Sequence, residues 1–414
     1  MKIFHLSNSD IRGGAARAAK RLHQALLETG LKSQMLVNKK FSKDKTIFGP
    51  LNFSEKLFIQ LRPRISNLLI KLFNTHNDIT HSISIFQSPW IDYINKSDVD
   101  IVHLHWVQNE MLSIADIGRI KKPIVWTLHD MWAFCGAEHL SQNNRWRFGY
   151  TKINRPPNET GLDINRWTWT RKLNHWKKPI YIVAPSNWLA NCVRESKLMR
   201  NWPVSVVANI IDTNRWKPKE KKEEKKKLGI SPDIPLIIFG TYGANNNYNK
   251  GFDLFLETLD YLNDDMNLKK MEIIVYGKHK NNIPKTKFPI HYLGHLNDNN
   301  SLMNLYSAAD ATVVPSRQES FCQTASESHA CGTPVVGFNI GGLNDIVDHL
   351  RTGYLAKAFD TQDLAKGISW VINESKKETL QNQARLQAVK KFSQKVLVQE
   401  YQKIYSKVLS NKNK

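Results

Sequence analysis

The sequence predicts an α/β protein of two Rossmann-like units, each a doubly wound parallel sheet. The chain has 414 residues, which is too long for one core because single cores stop growing at about 250–300 residues. Short apolar segments alternate with helical patterns, as is typical of parallel strands covered on both faces. The alternation stops at a highly charged segment, residues 217–227, and then starts again. Two units joined within residues 209–233 are therefore expected.

Six strands are predicted in the first half of the chain, at residues 2–6, 33–37, 100–105, 123–129, 180–184 and 204–208. Each is nearly continuously apolar and is followed by turn residues and a helical pattern. Open sheets of this kind bind their ligands at the carboxyl ends of the strands. The residues that directly follow the strands are therefore candidate site residues.

Five strands are predicted in the second half, at residues 236–240, 273–277, 291–294, 311–315 and 335–338. Helices are predicted between them at residues 252–262, 301–309 and 324–330, and residues 380–409 have the pattern of a long amphipathic helical region. We expect domains at residues 1–212 and 213–390, followed by a C-terminal helix at residues 391–414 that packs back on the first domain.

The composition is that of a globular protein with a strongly basic balance. Lys and Arg number 59 against 37 Asp and Glu, a formal charge of +22, which attracts phosphates, anionic lipid or nucleic acid. Acids are interleaved with the basic residues of 217–227, which favours a solvated linker or helix face there. No nucleic-acid-binding motif accompanies the charge, so nucleic acid is not an expected partner.

No segment offers the ~20 uninterrupted apolar residues that a membrane span requires, and the apolar run at residues 1–7 is too short for a signal peptide. A cytoplasmic protein is therefore expected. The four cysteines show no CxxC spacing, which argues against a zinc site and against a disulfide framework. They are predicted to be buried free thiols: Cys135, Cys192, Cys322 and Cys331.

Two glycines, Gly13 and Gly14, follow the first predicted strand and precede an apolar helix. Glycines at such a turn let backbone amides approach an anion or a sugar, and a helix N-terminus favours negative charge. A turn that serves packing only is the alternative. The GxGxxG fingerprint is absent, which counts against a dinucleotide dehydrogenase.

His129 and Asp130 lie at the end of the strand predicted at residues 123–129, where such a sheet binds its ligands. The pair could hydrogen-bond a sugar hydroxyl or polarise a phosphate, and a structural histidine is an equal alternative. His103 and His105 lie on the preceding strand. They are predicted to face opposite ways, so that at most one reaches the same edge.

Two carboxylates stand eight residues apart, Glu319 in a loop and Glu327 within the helix predicted at residues 324–330. Carboxylates placed in this way can bind hydroxyls of two different rings, while amides at the helix start can bind phosphate. Two unrelated surface acids are the preferred explanation of a bare pair of this kind.

The surrounding residues 317–336 change that weighing, because they resemble the E-x7-E signature of glycosyltransferase family 4, retaining enzymes of the GT-B fold. Further motifs agree in order: Gly13-Gly14, His129-Asp130, residues 184–188, residues 209–212, Lys250-Gly251, Gly341-Gly342 and residues 352–355. Residues 127–132 resemble a subgroup associated with bacterial surface polysaccharide assembly. The resemblance implies two Rossmann-like domains facing a cleft, the first on the acceptor side and the second binding the nucleotide sugar.

The resemblance also implies roles for individual residues. The expected catalytic residues are Glu319 and His129, facing the donor sugar, and Lys250, neutralising the diphosphate. The ribose of the nucleotide would be held by Glu327. The expected donor-binding residues are Glu327, Gly13, Gly14, Gly240, Phe321, Cys322, Gln323 and Thr324. Asp130 and His105 are expected on the acceptor side.

The sequence departs from the family pattern at three places. An arginine that commonly follows the first strand of the second domain is missing from residues 240–243, so Lys250 is expected to carry the phosphate charge with backbone help. Cys322 replaces a usual glycine beside the phosphate-facing amides. Only Cys135 remains of a cysteine-rich segment that relatives often bear after the His-Asp pair.

The expected activity is transfer of a hexosyl unit, with retention, from a nucleotide-diphosphate sugar to a glycan or polyprenyl-linked acceptor in surface polysaccharide (O-antigen or exopolysaccharide) biosynthesis. No cofactor and no metal are expected, because a cation and helix-terminal amides suit the departing diphosphate. The Asp-x-Asp at Asp98-Val99-Asp100 lies at the start of a strand, opposite the ligand edge. The alternatives are a sugar-nucleotide epimerase or hydrolase of the same fold and a non-catalytic sugar-nucleotide-binding protein.

An anionic membrane surface is a further expected partner, which would place the protein on the inner face of the cell membrane. Residues 54–73 combine an apolar stripe at helical spacing with basic and aromatic side chains, and the aromatic-basic segment 166–172 adds to them. A core-facing helix has the same periodicity, so periodicity cannot decide. The residues concerned are Leu57, Leu61, Ile65, Leu68, Leu72, Lys56, Arg62, Arg64, Lys71, Phe58 and Phe73.

Overall fold

A computed structural model describes residues 1–50, 52–71, 79–240, 248–266, 268–277, 286–296, 298–373 and 377–411. The chain divides into two compact units, Met1–Ala208 with Val398–Lys414, and Asn209–Leu397. Each unit contains one sheet of parallel strands with helices between them. The predicted fold class, two doubly wound α/β units, is confirmed.

The first unit has a seven-stranded sheet in the order β3-β2-β1-β4-β5-β6-β7. Its strands are β1 (Lys2–Ser9), β2 (Lys32–Lys39), β3 (Ile47–Phe48), β4 (Ile101–Leu104), β5 (Ile124–Thr127), β6 (Tyr181–Ala184) and β7 (Val204–Val206). Its helices are α1 (Gly14–Glu28), α2 (Phe53–Lys71), α3 (Trp90–Lys96), α4 (Ile114–Arg119), α5 (Arg145–Phe148), α6 (Ile164–His175) and α7 (Asn187–Glu195). The strand order reverses between β1 and β4, and ligands of such sheets bind at that point.

The second unit has a six-stranded sheet in the order β10-β9-β8-β11-β12-β13, the Rossmann order, with its reversal between β8 and β11. Its strands are β8 (Leu236–Gly240), β9 (Glu272–Tyr276), β10 (Ile290–Gly294), β11 (Ala311–Val314), β12 (Val335–Phe338) and β13 (Gly353–Ala356). Its helices are α8 (Lys221–Lys227), α9 (Phe252–Asp264), α10 (Asn299–Ala308), α11 (Gln323–Ala330), α12 (Thr361–Asn373) and α13 (Lys377–Phe392). Short 3-10 turns lie at Tyr248–Lys250 and Gly341–Asp345.

The last helix, α14 (Gln394–Ser410), brings the segment Val398–Lys414 to the first unit. Tyr401 and Tyr405 on this helix are buried. The Tyr405 hydroxyl lies 2.7 Å from His103 Nδ1, and the Tyr401 hydroxyl lies 3.2 Å from Thr127 Oγ1. Side chains of β4 and β5, His103 and Thr127, are thus contacted by the C-terminal helix.

The main differences from the predicted elements have simple causes. The helical region predicted at residues 380–409 contains two helices, and between them Ser393 pairs with Ile211 in an isolated parallel bridge. The strands β3 and β13 were not predicted. The first has only two residues, and the second begins with glycine, a residue that weakens a strand pattern.

The charged segment 217–227 is not simply a solvated face, which corrects the prediction. Helix α8 buries Lys225, whose Nζ lies 2.7 Å from Asp310 Oδ2, and Lys221 Nζ lies 3.1 Å from the other carboxylate oxygen. Asp310 also accepts a hydrogen bond of 2.8 Å from the Leu236 amide. Two of the basic residues therefore fix the start of β8.

Other expectations about burial are confirmed. All four cysteines are free and buried. Burial raises the pKa of the Cys192 and Cys331 thiols to about 12, so these thiols stay protonated and unreactive. Within the described residues, no helix has both the length and the apolar character that crossing a bilayer requires.

Helix α2 leaves its apolar stripe in solvent, so the core-facing alternative does not describe it. Its buried residues are Ile59, Arg62 and Ser66. The exposed apolar residues are Phe53, Leu57, Phe58, Leu61, Ile65 and Leu68. Leu72 and Phe73, which belong to the predicted stripe, lie outside the described residues.

Two of the basic elements predicted for membrane contact are not available for it. The Arg62 guanidinium is buried and stacks on the Phe58 ring at 3.9 Å. In the segment 166–172, Lys172 is buried and donates hydrogen bonds to the carbonyl oxygens of Cys135 and Gly136 at 3.0 and 2.7 Å. These cations stabilise the fold of the first unit.

Candidate functional site

The predicted site residues of the first unit lie at the carboxyl ends of β1 and β5. Gly13 precedes α1 with φ 93° and ψ 162°, a conformation that essentially only glycine adopts. A Cβ at this position would have no atom within 4 Å. The glycine therefore serves the backbone turn, and the space in front of the turn is open to a ligand. Gly14 is the first residue of α1.

His129 follows β5 and is half-buried. Its Nε2 lies 3.3 Å from Nδ1 of His105, whose Nε2 lies 3.0 Å from Nδ1 of His5. Burial lowers the pKa of His129 to about 4. The imidazole is therefore neutral near pH 7 and can act as a hydrogen-bond donor or acceptor but not as a cation.

The prediction that His103 and His105 face opposite ways is wrong. Their rings stack with centroids 4.3 Å apart and planes 26° from parallel. Residues two apart on a strand share a face, because only consecutive side chains alternate. His103 is engaged by Thr127 Oγ1 at 2.8 Å and by the Tyr405 hydroxyl.

Asp130 organises the loop that follows β5. Its carboxylate accepts hydrogen bonds from Trp106 Nε1 at 2.8 Å, His139 Nδ1 at 2.6 Å and the Trp132 amide at 3.0 Å. Burial raises the pKa of Asp130, but His139 and the hydrogen bonds lower this pKa by a larger amount, so the net shift is downward. His139 in turn lies 2.8 Å from Ser82 Oγ.

In the second unit, Lys250 and Glu319 are brought together at the carboxyl end of β11. Lys250 Nζ lies 2.7 Å from Glu319 Oε1, which also accepts a hydrogen bond of 2.8 Å from Ser316 Oγ. Burial lowers the pKa of Lys250, but the Glu319 carboxylate outweighs burial and the net shift is upward. Lys250 is therefore a permanent cation.

Glycines make this approach of the two residues possible. Gly251 has φ 65°, and a Cβ there would overlap the Pro315 carbonyl oxygen at the end of β11. Gly342 donates its amide to the Glu319 carbonyl oxygen at 2.7 Å. A Cβ on Gly341 would overlap that same oxygen. Glycine is thus required in the Lys250-Gly251 and Gly341-Gly342 motifs because the backbone packs closely around Pro315 and Glu319.

Helix α11 starts directly after Cys322, which has φ 80° and gives the helix no side-chain cap. A positive φ at a cysteine is uncommon and explains why a glycine is usual there. Gln323 and Thr324 form the first turn, and the preceding Phe321 packs edge-on against Phe392. No side-chain cap hydrogen bond is made at this helix N-terminus, and helix N-termini favour anions.

Glu327, one turn further along α11, is 2% exposed. Its Oε2 accepts a long hydrogen bond of 3.4 Å from the Tyr306 hydroxyl, which lies 3.0 Å from the Tyr276 hydroxyl. A Cβ on Gly240, the last residue of β8, would overlap the Tyr276 ring. Gly240 is therefore needed for the packing of that ring. Residues 241–247, where the family arginine would lie, are outside the described residues.

The Asp-x-Asp lies at the amino ends of the first sheet, as predicted. Asp98 pairs with Lys2 Nζ, and Asp100 Oδ2 accepts a hydrogen bond of 2.7 Å from the Lys2 amide. Among the described residues, the ring nitrogens of His5, His103 and His105 form a cluster within 4.8 Å. Both nitrogens of His103 are already engaged, and stacked rings direct their lone pairs side by side, which does not fit convergence on one ion.

Sequence reasoning missed the partners of the site residues, namely His5, Trp106, His139, Tyr276 and Tyr306. His5 was hidden within an apolar strand, although its place on the strand beside β4 was a usable signal. His139 and the tyrosines are brought in by loops and by a neighbouring helix, and the sequence spacing gives no signal for these contacts.

Residues 12–215 match the family described as Glycosyltransferase Family 4, and residues 220–387 match Glycosyl transferases group 1. The chain is 24% identical over 352 residues to N-acetyl-alpha-D-glucosaminyl L-malate synthase of Bacillus anthracis, covering 81% of this chain and 84% of the relative. It is 28% identical over 211 residues to D-inositol 3-phosphate glycosyltransferase of Rhodococcus jostii (strain RHA1), covering 47% of this chain and 46% of that relative. The matched stretch thus spans less than half of the Rhodococcus relative.

Solved structures share the architecture. Sucrose-phosphate synthase from Thermosynechococcus elongatus superposes with a TM-score of 0.67 at 15% identity, covering 99% of this chain and 100% of that one. Anabaena HepE in complex with UDP and glucose superposes with a TM-score of 0.65 at 16% identity, covering 98% and 99%. Because the two family matches together span both sheets, the chain belongs to glycosyltransferase family 4 and has the GT-B fold.

Proposed function

We propose that the protein transfers a hexosyl unit, with retention of configuration, from a nucleotide-diphosphate sugar to a glycan or lipid-linked acceptor. The observation that carries the proposal is the Lys250–Glu319 pair at the end of β11, beside the uncapped first turn of α11. A cation, a carboxylate and the N-terminus of a helix together offer partners for a diphosphate and for sugar hydroxyls.

The pair gives the donor a defined way to bind. In the structure, Glu319 holds the Lys250 ammonium at 2.7 Å. A diphosphate that takes over the ammonium releases the Glu319 carboxylate to accept hydrogen bonds from the hydroxyls of the donor sugar. Glu327 lies buried one turn into α11 and is the partner proposed for the ribose hydroxyls.

Departure of the nucleoside diphosphate leaves negative charge on phosphate while the sugar passes through an oxocarbenium-like state. In this proposal, Lys250 and the N-terminus of α11 stabilise that charge without a metal ion. His129, neutral near pH 7, is the residue of the first unit proposed to hydrogen-bond the donor sugar. Retention of configuration follows the family resemblance.

The relatives support the donor class more strongly than the acceptor. Anabaena HepE was solved with UDP and glucose, and the Bacillus relative is named for transfer of N-acetylglucosamine to malate. Surface polysaccharide as the acceptor rests on residues 127–132 alone. The rivals are an epimerase or hydrolase of the same fold and a protein that binds the nucleotide sugar without turnover.

One assay separates these functions. The purified protein is incubated with UDP-, GDP- or ADP-sugars, with and without bacterial lipid extract, in EDTA or in manganese, and products are followed by mass spectrometry. The proposed transfer predicts release of nucleoside diphosphate and a mass gain on an acceptor. Metal independence predicts that both persist in EDTA. Release of free sugar or an epimerised donor without any acceptor would support the first rival, and donor binding without turnover the second.

We further propose that α2 docks the first unit on an anionic membrane surface. Its outer face exposes Phe53 by 80%, Leu68 by 63% and Phe58 by 50%. Lys56, Arg64 and Lys71 are exposed on the same helix. Aromatic and aliphatic side chains beside basic ones suit the boundary between headgroups and acyl chains of an anionic leaflet. A lipid-linked acceptor would be reached from there.

Vesicle co-sedimentation tests the docking. Binding to vesicles with phosphatidylglycerol, loss of binding in phosphatidylcholine alone, and weakening by salt are expected. Leu61→Glu with Leu68→Glu should abolish sedimentation. The matched control is Leu386→Glu on α13, a similarly exposed leucine, which should leave it unchanged. Equal sedimentation of both variants, or no binding of the wild type at low salt, would contradict the proposal.

A further inference from the structure

Three histidines form a continuous chain through the first sheet. His5 lies on β1, His105 directly follows β4, and His129 follows β5. Their ring nitrogens are joined at 3.0 Å and 3.3 Å. The strand register places His5 level with His103, His105 two residues further, and His129 four residues further. The three histidines therefore form a diagonal row from the buried part of the sheet to its carboxyl edge.

All three rings are neutral near pH 7. Burial, the largest cause, and the neighbouring histidines lower the pKa of His5 and His105 well below the usual value. Burial likewise lowers the pKa of His129, against the opposing effect of Asp130. The other titratable groups around the chain are His23 on α1, His103 on β4 and Tyr405 on α14. A neutral imidazole carries one hydrogen on its two ring nitrogens, so one nitrogen donates and the other accepts.

Counting these hydrogens leaves two arrangements. In one, His5 Nδ1 donates to His105 Nε2, His105 Nδ1 donates to His129 Nε2, and the hydrogen of His129 sits on Nδ1. In the other, both bonds are reversed, and the hydrogen of His5 sits on Nε2. Within the described part of the chain, that nitrogen is buried with no hydrogen-bond partner. A buried N–H without an acceptor is rarer in proteins than an unsatisfied acceptor, which favours the first arrangement.

We propose that His5 and His105 are positioning residues that fix the tautomer of His129, so that His129 presents an Nδ1–H donor at the carboxyl edge of the sheet. His129 pairs with His105 through Nε2, and among the described residues no acceptor is hydrogen-bonded to His129 Nδ1. The inference rests on the proposed function, in which His129 meets the donor sugar. A donor at this position selects an acceptor oxygen of the sugar nucleotide. The other tautomer would present only a lone pair there.

Nitrogen NMR measures the tautomer directly and requires no turnover. The full-length protein is labelled with 15N-histidine, and long-range 1H–15N correlations are recorded at pH 7.5. The resonances of His129 are assigned by their loss in His129→Gln. The proposal requires a protonated Nδ1 and an unprotonated Nε2 on His129. A proton on Nε2, or a doubly protonated ring, would overturn it.

Variants test whether His105 is the cause. His105→Phe keeps an aromatic ring against His103 but has no nitrogens, so His129 should lose the fixed tautomer and give mixed resonances. His105→Gln, whose amide can both accept from His5 and donate to His129, should restore it. His103→Phe is the matched control, because it changes the stacked neighbour and leaves both chain hydrogen bonds in place. An unchanged tautomer in His105→Phe would sink the assignment, and if this variant does not fold, His5→Phe takes its place with the same expectation.

The outcomes separate this inference from the proposed function. A fixed Nδ1–H tautomer in a protein that transfers no sugar would leave the positioning role intact and remove the function. If transfer is found, kcat should fall in His105→Phe and recover in His105→Gln, with little change in KM for the donor. A protein that transfers sugar while His129 has the other tautomer retains the function and loses the positioning role.

Discussion

In the proposed function, the donor diphosphate replaces Glu319 as the partner of the Lys250 ammonium. Glu319 is 8% exposed, so its charge needs a cation or a hydrogen-bonding ligand at all times. The ammonium it holds now is the group that a diphosphate would take. Loss of the Lys250 ammonium should therefore appear in donor affinity rather than in the fold alone.

Lys250→Ala and Glu327→Ala are each predicted to weaken donor binding by about 10- to 100-fold, because a charge-assisted hydrogen bond contributes about 1.5–3 kcal/mol. Isothermal titration calorimetry with the donor sugar nucleotide measures the change. Glu319→Ala should act mainly on turnover.

Exposed residues of the same unit provide the controls, with Lys287→Ala for the lysine and Glu257→Ala for the glutamate. Circular dichroism before titration distinguishes a lost contact from a lost fold. Unchanged donor affinity in both Lys250→Ala and Glu327→Ala would remove these residues from the site.

The residues that the sequence could identify are those at strand ends and within a dense motif. His129 and Glu319 follow predicted strands, so the parallel topology alone brings them to a carboxyl edge. Their partners come from elsewhere in the chain, and no spacing reveals them. The pairing of Lys250 with Glu319 joins residues 69 positions apart. The positive φ of Cys322 is likewise a property of the folded loop.

At the scale of elements, the strand order follows from the alternation of apolar runs and helical patterns, whereas helix α14 shows what that pattern leaves open. Its periodicity predicts an apolar face but not the partner of that face. The partner is set by two tyrosines whose hydroxyls reach Thr127 and His103. Helix α2 has an equally periodic apolar stripe, but this stripe is exposed to solvent.

Tyr405→Phe is predicted to destabilise the protein by about 1–3 kcal/mol, because it leaves a buried nitrogen of His103 without its partner while the ring volume is kept. Urea unfolding followed by tryptophan fluorescence measures the change in unfolding free energy. Tyr93→Phe, at a tyrosine that is 55% exposed, is the control and should change it little. Equal stability of the two variants would show that the hydroxyl of α14 does not hold the sheet.

At the scale of the whole molecule, neutral histidines with a lowered pKa recur in both units. Burial lowers the pKa of His103 to about 3 and of His23, His129 and His329 to about 4. In the unfolded chain these groups return to about 6.5. The folded protein therefore excludes protons that the unfolded chain binds, and the difference grows as the pH falls below 6.5.

The sign of the effect on stability follows. Well above pH 6.5 these imidazoles are neutral in both states and contribute no pH dependence. As the pH falls from 6.5 toward 4, the unfolded state gains protons and the unfolding free energy decreases, by about 1.4 kcal/mol per pH unit for each fully shifted histidine. Urea unfolding at pH 7.5, 6.5 and 5.5 should show a smaller loss of unfolding free energy over the first interval and a loss of about 1 kcal/mol per shifted histidine over the second. His23→Gln should reduce the pH dependence of the unfolding free energy by the contribution of one histidine. A flat profile between pH 6.5 and 5.5 would mean that these rings are protonated in the folded state, and His129 would then meet its ligand as a cation.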